Sequence, residues 1–117
     1  MVEPGAASIV GIGQTEFSKN SGRPELQLAC EAILAALDDA GLGWEDVQLA
    51  FAGSLEVLQP DTMIQHMGLT GIPFTTLYNG CATGGNLLLS AANAITAGAG
   101  DIAIAIGMDK HRAGPSR

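Results

Sequence analysis

Phe74-Thr75-Thr76-Leu77-Tyr78-Asn79-Gly80-Cys81-Ala82-Thr83-Gly84-Gly85 is the stretch that decides the fold. Its opening residues, Phe74 to Tyr78, are β-branched, aromatic or apolar and read as a strand. From about Ala82 to Ala97 the composition shifts to Ala and Leu, which predicts a helix, and Gly98 and Gly100 punctuate its end. Ile102-Ala103-Ile104-Ala105-Ile106 follows, apolar on both faces, as expected of a strand at the centre of a sheet. Strand, helix and strand in this order make a βαβ unit, whose strands run parallel.

The same alternation extends upstream. Ser8-Ile9-Val10-Gly11-Ile12-Gly13 reads as a short buried strand, and Gln14 to Gly22 as a polar, turn-rich loop. Pro24 suits the first position of a helix, with Glu25 in its first turn. Leu26, Ala29, Cys30, Ile33 and Leu37 share one face of that helix, and Gly41 is placed to cap it in the left-handed conformation. Trp44 to Val47 is a connector and Gln48 to Gly53 a second strand. Asp61 is placed to cap a short helix through Met67 or Gly68, with Met63, Ile64 and Met67 on its apolar side. The resulting order, βαβαβαβ, predicts an α/β fold with a mostly parallel sheet and helices on its faces.

The 117 residues suffice for one domain, 1–117, with a real core. Twelve acidic residues against five basic ones give a net charge of -7, which argues against nucleic acid or an anionic membrane as partner. No apolar run approaches the roughly 20 residues of a membrane span, and the first residues lack the pattern of a signal peptide. The expectation is a soluble, cytoplasmic protein whose two cysteines, Cys30 and Cys81, are reduced thiols.

Few residues offer chemistry. Gly11-Ile12-Gly13-Gln14-Thr15-Glu16 begins like a dinucleotide fingerprint but carries Glu at the third glycine's place, so no nicotinamide or flavin is expected. A tight turn after a buried strand accounts for its glycines. Cys30 lies in an apolar stripe and reads as core. His66 and His111 have no second ligand at metal spacing, so no metal is expected. His111 follows the last strand, at the end where parallel sheets place ligands. Cys81 differs from all of these, because it sits where a strand gives way to a helix. The free N–H groups and partial positive charge of a helix start favour a thiolate over a thiol, making Cys81 a candidate nucleophile. Asn79 and Gly80 before it, and Gly84 and Gly85 after it, leave the sulfur unshielded. Two glycines in a first helical turn cost about 1 kcal/mol each relative to Ala. They point to close approach of a substrate or a backbone, or to tight helix packing around a buried thiol.

Asn79-Gly80-Cys81-Ala82-Thr83-Gly84 resembles the nucleophile motif of the thiolase superfamily. Gly11 to Phe17 is similar to the family's opening strand and turn, and Glu31 to Leu42 to its first helix. Gly68 to Pro73 and Gly107-Met108-Asp109-Lys110 also fit. The likeness is greatest to sterol-carrier-type thiolases and to lipid-transfer or thiolase-like proteins of bacterial lipid and steroid catabolism. The resemblance implies a three-layer α/β/α fold. It also implies attack of Cys81 on an acyl-coenzyme A thioester to give an acyl-enzyme, with the backbone N–H of Cys81 in the oxyanion hole. Asn79, Gly80, Gly84 and His111 would then lie near the substrate, with no tightly bound cofactor.

The family's activating histidine and second cysteine come from a later half, and its first half gains an antiparallel strand between the first and fourth strands. The chain resembles an opening segment without these parts, so a fragment, or one piece of an assembly, is expected. Where the family often has Glu and Met, this sequence has Asp109 and His111. Some relatives resemble retro-aldol lyases that act on steroid acyl-coenzyme A with a small partner protein and need not use the cysteine. A non-catalytic lipid-transfer or dimerisation role is a further alternative. In the family the third strand and third helix lie near a dimer two-fold, which implies a homodimer through 74–78 and 82–97, joined by Met63, His66 and Met67.

Overall fold

The computed structural model describes residues 6–17, 22–55 and 60–109. In this order come α1 (Glu25–Ala40), β1 (Leu49–Gly53), α2 (Ile64–Met67), β2 (Phe74–Thr76), α3 (Thr83–Thr96) and β3 (Ala103–Gly107). Single 3₁₀ turns at Trp44–Asp46, Pro60–Met63 and Gly80–Ala82 stand before β1, α2 and α3.

The three strands form one parallel sheet in the order β2-β1-β3. Ala52 of β1 lies opposite Thr76 on one side and Ile106 on the other, which sets the register. Gln48 reinforces the β1–β3 pairing from its start, its side-chain oxygen accepting the amides of Asp101 (2.5 Å) and Ile102 (3.1 Å). Ala52 and Ile106 belong to a buried cluster with Ala29, Cys30, Ile33 and Leu37 of α1, whereas the neighbouring Gly53 meets Thr83 and Leu87 of α3. Successive strand residues face opposite ways. Helices α1 and α3 therefore cover opposite faces, giving three layers.

The apolar stripe read from the sequence is the face of α1 that is buried. Gly41 ends the helix at φ 71°, and its amide bonds the carbonyl of Asp38. Beyond it Trp44 is buried, and its indole N–H donates to the carbonyl of Gly68 at 2.9 Å, so a polar atom taken from water keeps a partner. Met63, with no exposed surface, fills the same core. It is therefore unavailable to the dimer contact expected of it, while His66 is exposed and Met67 half-buried.

Two expectations are corrected. Residues 8–13 are not a buried strand. Ile9, Val10 and Ile12 are exposed, and no strand of the sheet includes them. A strand exists only through a partner's hydrogen bonds, and this segment instead runs along α1. Its Ile12 amide bonds Asp39 at 2.9 Å. A Cβ at Gly11 would stand 2.8 Å from the Ala40 Cβ, and one at Gly13 would stand 2.5 Å from the Ala36 nitrogen. These glycines serve backbone-to-helix contact, not a tight turn after a strand. β3, secondly, is an edge strand in this sheet, and the central strand is β1.

The core sets two expectations. Met63→Ala should cost about 2–5 kcal/mol by leaving a cavity, read as a lower urea midpoint at unchanged slope. Leu69→Ala, at an exposed position, should stay within about 0.5 kcal/mol. Burial pushes the Cys30 thiol up from its ordinary value of 9.0. The unfolded chain then loses this proton before the folded chain does, so stability falls as pH rises above about 9. Denaturation midpoints measured across that range should fall less steeply in Cys30→Ala.

Candidate active site

All three strands run parallel, so their C-terminal ends gather at one edge of the sheet, where such folds bind ligands. Gly53, Leu77 and Gly107 mark these ends. Leu77 lies just past β2 and extends the ladder through its amide to Ala52 (2.9 Å).

Cys81 sits on the second residue of the 3₁₀ turn Gly80–Ala82, one turn ahead of the α3 body. The strand does not pass directly into an α-helix, as the sequence suggested, but through this tighter turn. Gly80 adopts φ 54°, a left-handed conformation that other residues take at a cost. The thiol is free and exposed, and the amide of Cys81 lies in a first turn, where no carbonyl of the helix is available to it.

Thr83 organises the turn. Its hydroxyl donates to the carbonyl of Gly80 at 2.7 Å and accepts the amide of Asn79 at 2.8 Å. Its methyl rests where Gly53 has no side chain. A Cβ at that glycine would collide with Thr83 Cγ2 and stand 2.6 Å from the Leu77 carbonyl oxygen.

Asn79, Gly80, Cys81 and Gly84 come together as one exposed surface around this turn. A Cβ at Gly84 or Gly85 would meet no atom within 4 Å. Tight packing around a buried thiol, one of the two readings of these glycines, is thereby set aside within this chain. His111 lies outside the described residues. Among the described residues no group of three or more His, Cys, Asp or Glu could hold a metal ion, and no helix is long and apolar enough to cross a membrane.

A second tie at the same edge was missed in the sequence. Asp109, just past β3, accepts the hydroxyl of Ser54 (2.9 Å) and the amide of Leu55 (2.8 Å), joining the ends of β1 and β3. The partners are more than 50 residues apart, and nothing local announces them. The Thr83 contacts did have a signal, because a threonine three residues after a turn glycine is placed to bond its backbone.

No protein-family model matches the chain. Among curated relatives, a steroid side-chain-cleaving aldolase from Thermomonospora curvata is 41% identical over 97% of this chain. A 17-hydroxy-3-oxo-4-pregnene-20-carboxyl-CoA lyase from Mycobacterium tuberculosis is 40% identical over 94%. Among solved structures, an Ltp2-ChsH2(DUF35) aldolase superposes with TM-score 0.70 at 42% identity, covering 87% of this chain and 27% of that one. A monomeric SCP2-thiolase-like protein from Mycobacterium smegmatis gives the same TM-score at 26% identity, covering 88% of this chain and 23% of that one. The chain spans 29% of the length of each of the two curated relatives. Fold and sequence agree that this chain belongs to the thiolase superfamily.

Proposed function

We propose that the chain forms part of a thiolase-fold lyase, which cleaves the side chain of a steroid-type acyl-coenzyme A by retro-aldol chemistry together with a partner protein. The observation that carries this reading is 41–42% identity, over most of the chain, to a steroid side-chain-cleaving aldolase and to an Ltp2-ChsH2(DUF35) aldolase. The substrate class is a thioester with a hydroxyl on the carbon β to its carbonyl. A base takes the hydroxyl proton, the alkoxide becomes a ketone as the bond between the α and β carbons breaks, and that bond's electron pair enters the thioester as an enolate. A proton then converts the enolate to the shorter acyl-coenzyme A.

In this reading the turn acts through its backbone. The Cys81 amide is a donor for the oxyanion of the enolate, and one such donor is worth about 3 kcal/mol. Asn79, Gly80 and Gly84 leave the approach to it open. Coenzyme A enters as part of the substrate, with no tightly bound cofactor, and the compartment is the cytoplasm.

The exposed sulfur favours a second reading, acyl transfer through an acyl-Cys81 intermediate. Cys81→Ala in the complete enzyme separates the two. Retained turnover of the β-hydroxyacyl thioester is expected for the lyase. A loss of about a thousandfold or more, with an acyl adduct on wild-type Cys81 by intact mass, would establish acyl transfer instead.

The same face supports a homodimer through 74–78 and 82–97, since Tyr78, Leu88 and Leu89 are exposed. Leu89→Glu should convert the dimer to monomer in sedimentation velocity, and an unchanged sedimentation coefficient would remove this interface.

A further inference from the structure

We propose that Gly53 and Thr83 form a positioning device, which fixes the Cys81 turn to the end of the central strand. This inference rests on the reading of that turn as the reacting site, and it adds two residues that touch no reacting atom.

Thr83 is held on three sides. Its hydroxyl takes the amide of Asn79 at 2.8 Å and gives its proton to the Gly80 carbonyl at 2.7 Å, bridging the two residues ahead of Cys81. Its methyl points toward Gly53, where any side chain would also press on the Leu77 carbonyl and come within 3.3 Å of Leu87 Cδ1. Leu87 is fully buried, and the Leu77 amide is bonded to Ala52, so neither neighbour is free to give way. β1 is in turn hydrogen-bonded on both edges. The turn is thereby referenced to the most constrained element of the sheet. Both roles of Thr83 are needed: the hydroxyl shapes the turn, and the methyl sets its distance from the strand. Displacement of a reacting group by about 1 Å is enough to cost up to about a hundredfold in rate.

Three variants of the full protein test this. Thr83→Val keeps a methyl over Gly53 and loses both hydrogen bonds. Thr83→Ser keeps the hydroxyl. Gly53→Ala obstructs the seat from the strand side. Two readouts apply to each: hydrogen exchange of the Asn79 amide, and the rate of Cys81 alkylation by iodoacetamide at pH 7.5.

Thr83→Val should speed Asn79 exchange about tenfold, the equivalent of one lost hydrogen bond, and change the Cys81 rate at least fivefold. Thr83→Ser should restore exchange to within twofold of wild type. Gly53→Ala should shift the Cys81 rate with the Thr83 hydroxyl still present. Wild-type exchange and alkylation in Thr83→Val overturn the proposal, as does failure of Thr83→Ser to restore exchange. If Thr83→Val does not fold, Gly53→Ala decides, and an unchanged Cys81 rate in it overturns the proposal. Loss of the functional reading is seen separately, as wild-type enzyme without turnover, and leaves these contrasts measurable.

Discussion

Confinement of β1 is the constraint on which the rest of the structure depends. It is paired on both edges and covered on both faces, and Ala50, Ala52 and Gly53 leave almost no surface to solvent. A larger side chain at Gly53 would press on Thr83 and Leu87 of α3, and one at Ala52 would intrude on the core cluster. Small ones let α3 approach at Gly53 and let the cluster of α1 and Met63 side chains close over Ala52. Chains that pack with Ala and Gly in this way rely on backbone contact, and they tolerate little added volume.

The edge that carries the Cys81 turn inherits this rigidity. Three parallel strands deliver their ends to one side, and each end has a distinct duty. Gly53 offers a vacant seat, Leu77 leads into the turn, and Asp109 ties back across to Ser54. An exposed turn would otherwise be a poor place to hold a donor or a nucleophile in register with a substrate. Here Thr83 bonds Asn79 and Gly80 of the turn and rests its methyl toward the buried Gly53, although the turn itself is open to solvent. That combination of accessible atoms and confined support suits the proposed thioester chemistry, whether cleavage through an enolate or transfer through sulfur.

Much of this was legible beforehand, for identifiable reasons. Periodicity located α1 and its buried face, because amphipathic spacing records burial directly. The glycine and small-residue pattern around Cys81 located the turn. Residues 8–13 were misread because a β-branched, apolar run carries strand propensity whether or not a neighbouring strand pairs with it, and here Ile9, Val10 and Ile12 are exposed. Gly11 and Gly13 were likewise assigned to a turn when they serve close contact with α1. The apolar faces of 102–106 were taken for a central position, yet apolar faces report layers above and below and are silent about edges. The Ser54–Asp109 tie was invisible, since two ordinary polar residues so far apart carry no local pattern.

Trp44 is the chain's single tryptophan. Its ring is buried among α1 and Met63, and its N–H is committed to Gly68 at the end of α2. The indole therefore bridges two parts of the chain that share no backbone hydrogen bond in a ladder. The molecule consequently carries its own optical gauge of docking. Emission from this one ring reports whether the 60–68 segment is seated on α1, independently of anything that happens at Cys81.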